Sequence, residues 1–111
     1  MAEDGEWNRK GAVLSDVTAQ KDYGVARDFI VLGIRAGKLE FRDGAVWGNP
    51  YLRILRRQLE SYIAETLGSE YLIGAKSQAE LRAIKKEITG LRAKLAGLEA
   101  RKAAFERIAK A

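Results

Sequence analysis

Basic side chains are the residues whose type and spacing offer this chain some chemistry. Lys38 and Arg42 precede an Asp43-Gly44 dipeptide, and Arg53, Arg56 and Arg57 follow it. Groups of this kind can hold phosphate, the guanidinium through two parallel hydrogen bonds. The plainer alternative is solvated surface charge offset by Glu40, Asp43 and Glu60. Composition removes most other options. With no His and no Cys, the chain lacks the commonest general base, a thiol nucleophile, disulfides and the usual zinc ligands. There is no paired acidic motif, no Gly-rich phosphate loop and no nucleophile elbow. The expectation is a non-enzymatic protein without metal or cofactor.

The net charge of +5 over 111 residues is unevenly placed. Residues 1–70 carry 10 Lys+Arg against 11 Asp+Glu, whereas residues 71–111 carry 10 against 4. The basicity therefore belongs to the last third, where Lys and Arg also serve simply to solvate a helix. The longest apolar stretch, Phe29-Ile30-Val31-Leu32-Gly33-Ile34, is far short of a membrane span, and the acidic start is no signal peptide. A cytoplasmic protein without membrane contact is expected.

That last third carries the strongest pattern in the sequence. Leu81, Ile84, Ile88, Leu91, Leu95, Leu98 and Phe105 recur at spacings of three and four, broken once by Lys102. A stripe this narrow is a coiled-coil seam, since helices lying on a globular core show a wider apolar face. At 1.5 Å per residue the segment is about 45 Å long, too long for a small head to cover, so it needs another helix. Residues 76–111 are expected to make the chain a homo-oligomer. With Leu81 at a and Ile84 at d, a parallel dimer pairs Glu80 with Lys85, Glu87 with Arg92, Lys94 with Glu99 and Arg101 with Glu106. An antiparallel register pairs Glu87 with Lys94 and Glu80 with Arg101 but sets Lys85 against Arg92, so the charge pattern leans parallel. A second stripe, Ala83, Gly90, Ala93, Gly97, Ala100 and Ala104, is either a close-approach face for higher assembly or a solvated Ala-rich face.

The remaining elements must position the basic residues. Residues 1–11 are polar apart from Trp7 and read as a flexible tail, with the folding back of Trp7 onto the head left open. Residues 12–72 read as one head. Ser15 caps a helix ended by Gly24, and a second helix runs from Ala26 to Ala36 with Phe29, Ile30 and Ile34 inward. Gly33 there allows a close helix approach, and a strand is the competing reading of the β-branched run. Lys38 to Trp47 reads as a hairpin turning at Asp43-Gly44 with Val46 opposite Phe41, and Trp47 as a packing anchor. Gly48-Asn49-Pro50 is a further turn. Tyr51 to Ile54 is either a short strand before a helix or, with Asn49 as cap, part of that helix. Gly68-Ser69 ends the helix, and Gly74 is a joint before the coiled coil.

The fold class expected is mainly α with a small β-hairpin. Tyr23-Gly24-Val25-Ala26-Arg27, then Ile34-Arg35-Ala36-Gly37-Lys38-Leu39, then Ile54-Leu55-Arg56-Arg57-Gln58-Leu59-Glu60-Ser61-Tyr62-Ile63 stand in order and spacing. Over residues 13–65 the chain thereby resembles the excisionase and MerR-like winged helix-turn-helix domains. The resemblance implies a winged head whose second helix enters the DNA major groove, with the hairpin as a wing along the backbone. It assigns Ala26, Arg27, Asp28, Val31 and Leu32 to the DNA-facing side, with Arg35 near its end. Arg27 suits a base edge or a phosphate. Asp28 repels phosphate, and Val31 with Leu32 forms an apolar patch that suits a protein partner. The reading is a bacterial or phage-type DNA-binding homodimer, a transcriptional regulator or excisionase-like protein. Arg27, Arg35, Lys38, Arg42, Arg53, Arg56 and Arg57 are its candidate contacts with double-stranded DNA. The alternatives are a chain similar to the small terminase subunit of tailed phages, which marks DNA for packaging, and an adaptor that binds protein through Val31 and Leu32.

Overall fold

The structure, a computed structural model, describes residues 2–110. The chain is mainly helical with a small antiparallel sheet and a long C-terminal helix. In order it forms α1 (Asp4–Trp7), β1 (Val13–Ser15), α2 (Asp16–Tyr23), α3 (Arg27–Arg35), β2 (Phe41–Val46), β3 (Asn49–Leu55), α4 (Arg56–Leu67) and α5 (Ser69–Lys110). It divides into two compact units, residues 1–79 and 80–111.

In the first unit, local chemistry sets the helix ends. Ser15 accepts the Thr18 amide at 3.0 Å and opens α2, and Gly24 closes it at φ 66°, a left-handed cap that glycine adopts without strain. Helix wins over strand for α3 because its one-sided pattern buries Ile30 and Gly33 and half-buries Phe29 and Ile34. Gly33 is required by its neighbours: a Cβ there would sit 2.7 Å from Tyr62 Cε2 and 2.8 Å from Leu39 Cδ1. Leu14, Ala19, Tyr23, Val25, Ile30, Leu39, Ile54, Leu59 and Ile63 close the core beneath the sheet. The first turns of α5 belong to this unit. Leu72 packs on the core, and the Tyr71 hydroxyl donates to the carbonyls of Tyr23 and Gly24 at the end of α2.

The sheet order is β1-β3-β2, all antiparallel. Its hairpin turns at Trp47-Gly48, with Val46 paired to Asn49 and Phe41 to Ile54, rather than at Asp43-Gly44 with Val46 opposite Phe41. Both turn residues have positive φ, 53° and 80°, as a two-residue type I′ turn demands. Gly44 lies in mid-strand for a packing reason: a Cβ would meet the Tyr51 ring at 2.5 Å. The longer ladder also draws Asn49 and Pro50 into β3, where a turn was expected, and resolves Tyr51–Ile54 as strand. Trp47, expected as an anchor, is 96% exposed at the tip.

The N-terminal segment also departs from the flexible tail expected. Side chains alternate across a strand, so Ile54 enters the core while Arg53 and Leu55 face the other side of the sheet, where Arg42 pairs with Arg53. Trp7, buried, lies on that side beneath the Arg42 guanidinium at 4.6 Å. Residues 2–11 thus cover the part of the sheet's second face around Arg42 and Arg53.

The second unit is the remainder of α5. Gly74 lies inside α5 and makes no joint; the break falls at Gly68. Every seam residue from Leu81 to Phe105 is exposed, by 42% to 64%. Gly90 and Gly97 face open space. Among the described residues no helix is long and apolar enough to cross a membrane.

Candidate nucleic-acid interface

The seven basic residues singled out in the sequence fall into two groups. Arg27 and Arg35 lie on α3 and Lys38 just after it. Arg42, Arg53, Arg56 and Arg57 surround the N-terminal segment.

The first group is organised by one carboxylate. Asp16, at the start of α2, is buried. Its Oδ1 accepts the Leu52 amide of β3 at 3.0 Å, and its Oδ2 accepts Arg27 Nε at 3.3 Å. The first residue of α3 is therefore fixed to the edge of the hairpin through the first residue of α2. Arg27 keeps 59% of its side chain in solvent, so it has surface to offer while its direction is set. Arg35 is exposed and has no polar partner among the described residues. Lys38 pairs with Glu65 at 3.1 Å. Between them, Leu32 is 57% exposed and Val31 half-buried.

The second group is occupied. Arg42 binds Asp4 at 2.7 Å, and Arg57 makes two bonds of 3.0 Å to Glu6. Arg53 reaches the Trp7 carbonyl at 3.4 Å, and Arg56 donates to the Gly11 carbonyl at 3.0 Å and the Tyr23 hydroxyl at 2.8 Å. These guanidinium groups fasten residues 4–11 to the sheet. Tyr23 in turn donates to Glu60 at 2.5 Å. Burial, followed by the hydrogen bond to Glu60, pushes the phenol up to about 12, so it stays protonated as the donor this network needs.

Sequence reasoning missed Asp4, Glu6 and Asp16 as positioning residues and left open whether Trp7 packs on the head. Trp7 was the available signal, since one large apolar residue in a polar tail has reason to find a core.

Glu6 gives a pH-dependent result. Hydrogen bonds from Arg57, aided by its charge, hold the Glu6 carboxyl below its ordinary 4.5. A folded-state pKa below the unfolded one adds stability above about pH 4.5, which is lost as pH falls through the lower folded value. Glu6→Gln is expected to lower the melting temperature at pH 7 and to lower it by less at a pH below 4.5. Paired thermal melts at the two pH values measure this.

Gly-rich phosphate loops are absent from the sequence, and no group of His, Cys, Asp or Glu able to hold a metal ion occurs among the described residues. The arrangement offers an exposed helix with two cations and an apolar centre, joined at Asp16 to a projecting hairpin. Compared with known proteins, the chain matches no family model, no curated protein and no solved structure.

Proposed function

We propose that the chain is a DNA-binding protein acting as a coiled-coil homodimer, with residues 12–72 as a winged helix-turn-helix head. The observation that carries this reading is the link from α2 through Asp16 to both Arg27 and Leu52. Two short helices joined by Gly24-Val25-Ala26, with the second bound at its start to a hairpin, present a helix and a wing as one rigid surface. Arg27 and Arg35 are its phosphate or base contacts, and Lys38 assists when released from Glu65. The unpartnered seam from Leu81 to Phe105 supports the second copy, whose symmetry suits a two-fold or repeated site. A regulator, an excisionase-like protein and a protein similar to the small terminase subunit share this reading.

The test is duplex binding as a function of salt. Arg27→Ala with Arg35→Ala is expected to weaken binding and to reduce the slope of log K against log salt by about two per bound head. Neutralising Arg56 and Arg57 is expected to leave that slope and to lower stability instead, because they hold the N-terminal segment. The basic segment 76–111 is the control for binding by charge alone. If it binds as well as the full chain and the Arg27/Arg35 variant loses nothing, the head does not read DNA. The exposure of Leu32 favours a second reading, an adaptor that takes a protein partner on Val31 and Leu32.

A further inference from the structure

The bulkiest side chain in the head sits where the fold gains least from it. Trp47 is 96% exposed and is the only non-glycine residue with positive φ among the described residues. Left-handed backbone is unfavourable for a residue with a Cβ, and type I′ turns take Asn or Gly at this place. Exposing an indole to water is unfavourable as well. Two unfavourable features at one position point to a function outside the folded chain.

We propose that Trp47 is a wedge that inserts between base pairs when the hairpin enters the minor groove of duplex DNA. This rests on the DNA-binding reading of the head. Two observations select the occupant. The tip is narrow: Trp47 stands beside Gly48, which has no side chain, and two paired strands follow. Such a tip suits a groove about 6 Å wide better than a flat protein face. The flanking Asn49 offers both an amide donor and an acceptor to the groove floor, the chemistry that accompanies apolar wedges in minor-groove binders. Strand addition at this end of β3 is disfavoured, because Pro50 has no N–H and the Leu52 N–H is taken by Asp16.

A wedge unstacks a base step, so the preferred site contains a flexible pyrimidine–purine step, and the bound duplex is kinked. Trp47→Asn is the informative variant, because Asn-Gly is the favoured type I′ pair and the head keeps its fold. In the full-length protein this variant is expected to melt at higher temperature, yet to bind a 25-base-pair duplex about tenfold more weakly, on the scale of one base–aromatic stack. Parent protein is expected to lose Trp47 emission on binding, while buried Trp7 stays bright, and to shorten the end-to-end distance of a doubly labelled duplex. The variant does neither. Equal affinity with no bend in either protein overturns the wedge and leaves the DNA reading standing. Parent protein that binds no duplex at low salt overturns both. Quenching that rises with protein concentration in the absence of DNA assigns Trp47 to a second copy and also overturns the wedge.

Discussion

Chains carrying Leu91→Asp and Leu95→Asp together are expected to sediment as monomers at concentrations where the proposed homodimer of the parent forms. The two positions are adjacent d and a sites in the middle of the seam, each 56% exposed in the single chain. In a two-stranded coil the double substitution sets four carboxylates into the interface. An unpaired buried charge is several kcal/mol unfavourable, far beyond what the surrounding g–e pairs return. Helix content is expected to fall as well, because a lone helix of this kind is marginal in water without tertiary packing. The head is expected to keep its fold, since its core cluster lies entirely in residues 14–72. Circular dichroism and the emission of buried Trp7 separate the two effects. Binding to a two-site duplex is expected to weaken by about a hundredfold or more, the avidity of two linked heads. A parent protein that stays monomeric at high micromolar concentration would end the association reading, and with it the two-site geometry.

The elements with local signals were legible in the sequence. Ser15 and Gly24 bracket α2 because capping chemistry acts within a few residues, and the α3 periodicity names its own buried face. The hairpin's existence was legible, but its register was not. Asp43-Gly44 is a good turn pair locally, yet Gly44 serves to admit the Tyr51 ring, a contact made only once β2 and β3 have paired over six rungs. β1 escaped notice for a similar reason: three residues carry no period, and they form a strand because β3 offers an edge. Trp47 read as a packing residue by type, whereas its place in the turn leaves it nothing to pack on. At the candidate interface, the helix expected over 26–36 does carry Arg27 and Arg35. Arg42, Arg53, Arg56 and Arg57 carried the same charge in the sequence but are held by a segment 38 to 51 residues away for two of the pairs, Arg42 with Asp4 and Arg57 with Glu6. Charge is local information, and what a charge faces is tertiary information.

Asp16→Ala is the second substitution with a large expected effect, and it tests how the interface is held. In the sequence this residue is an ordinary acidic first-turn residue, favourable near a helix N-terminus. In the fold it is the buried acceptor joining α2 to β3 across 36 positions and to α3 through Arg27. Alanine leaves the Leu52 amide without its acceptor and releases the Arg27 guanidinium. An orphaned donor and a lost charged hydrogen bond together are expected to lower stability by about 2 to 3 kcal/mol. Guanidinium unfolding followed by the emission of Trp7 measures the loss. Asp16→Asn keeps an oxygen for Leu52 and is expected to lose about half as much. Arg27→Ala alone is expected to be milder, since Arg27 is largely in solvent and leaves Asp16 its backbone partner. If Asp16→Ala matches Arg27→Ala in size, the carboxylate serves only the ion pair. If it greatly exceeds it, the bond to β3 dominates, and Asp16 is what makes helix and hairpin a single surface.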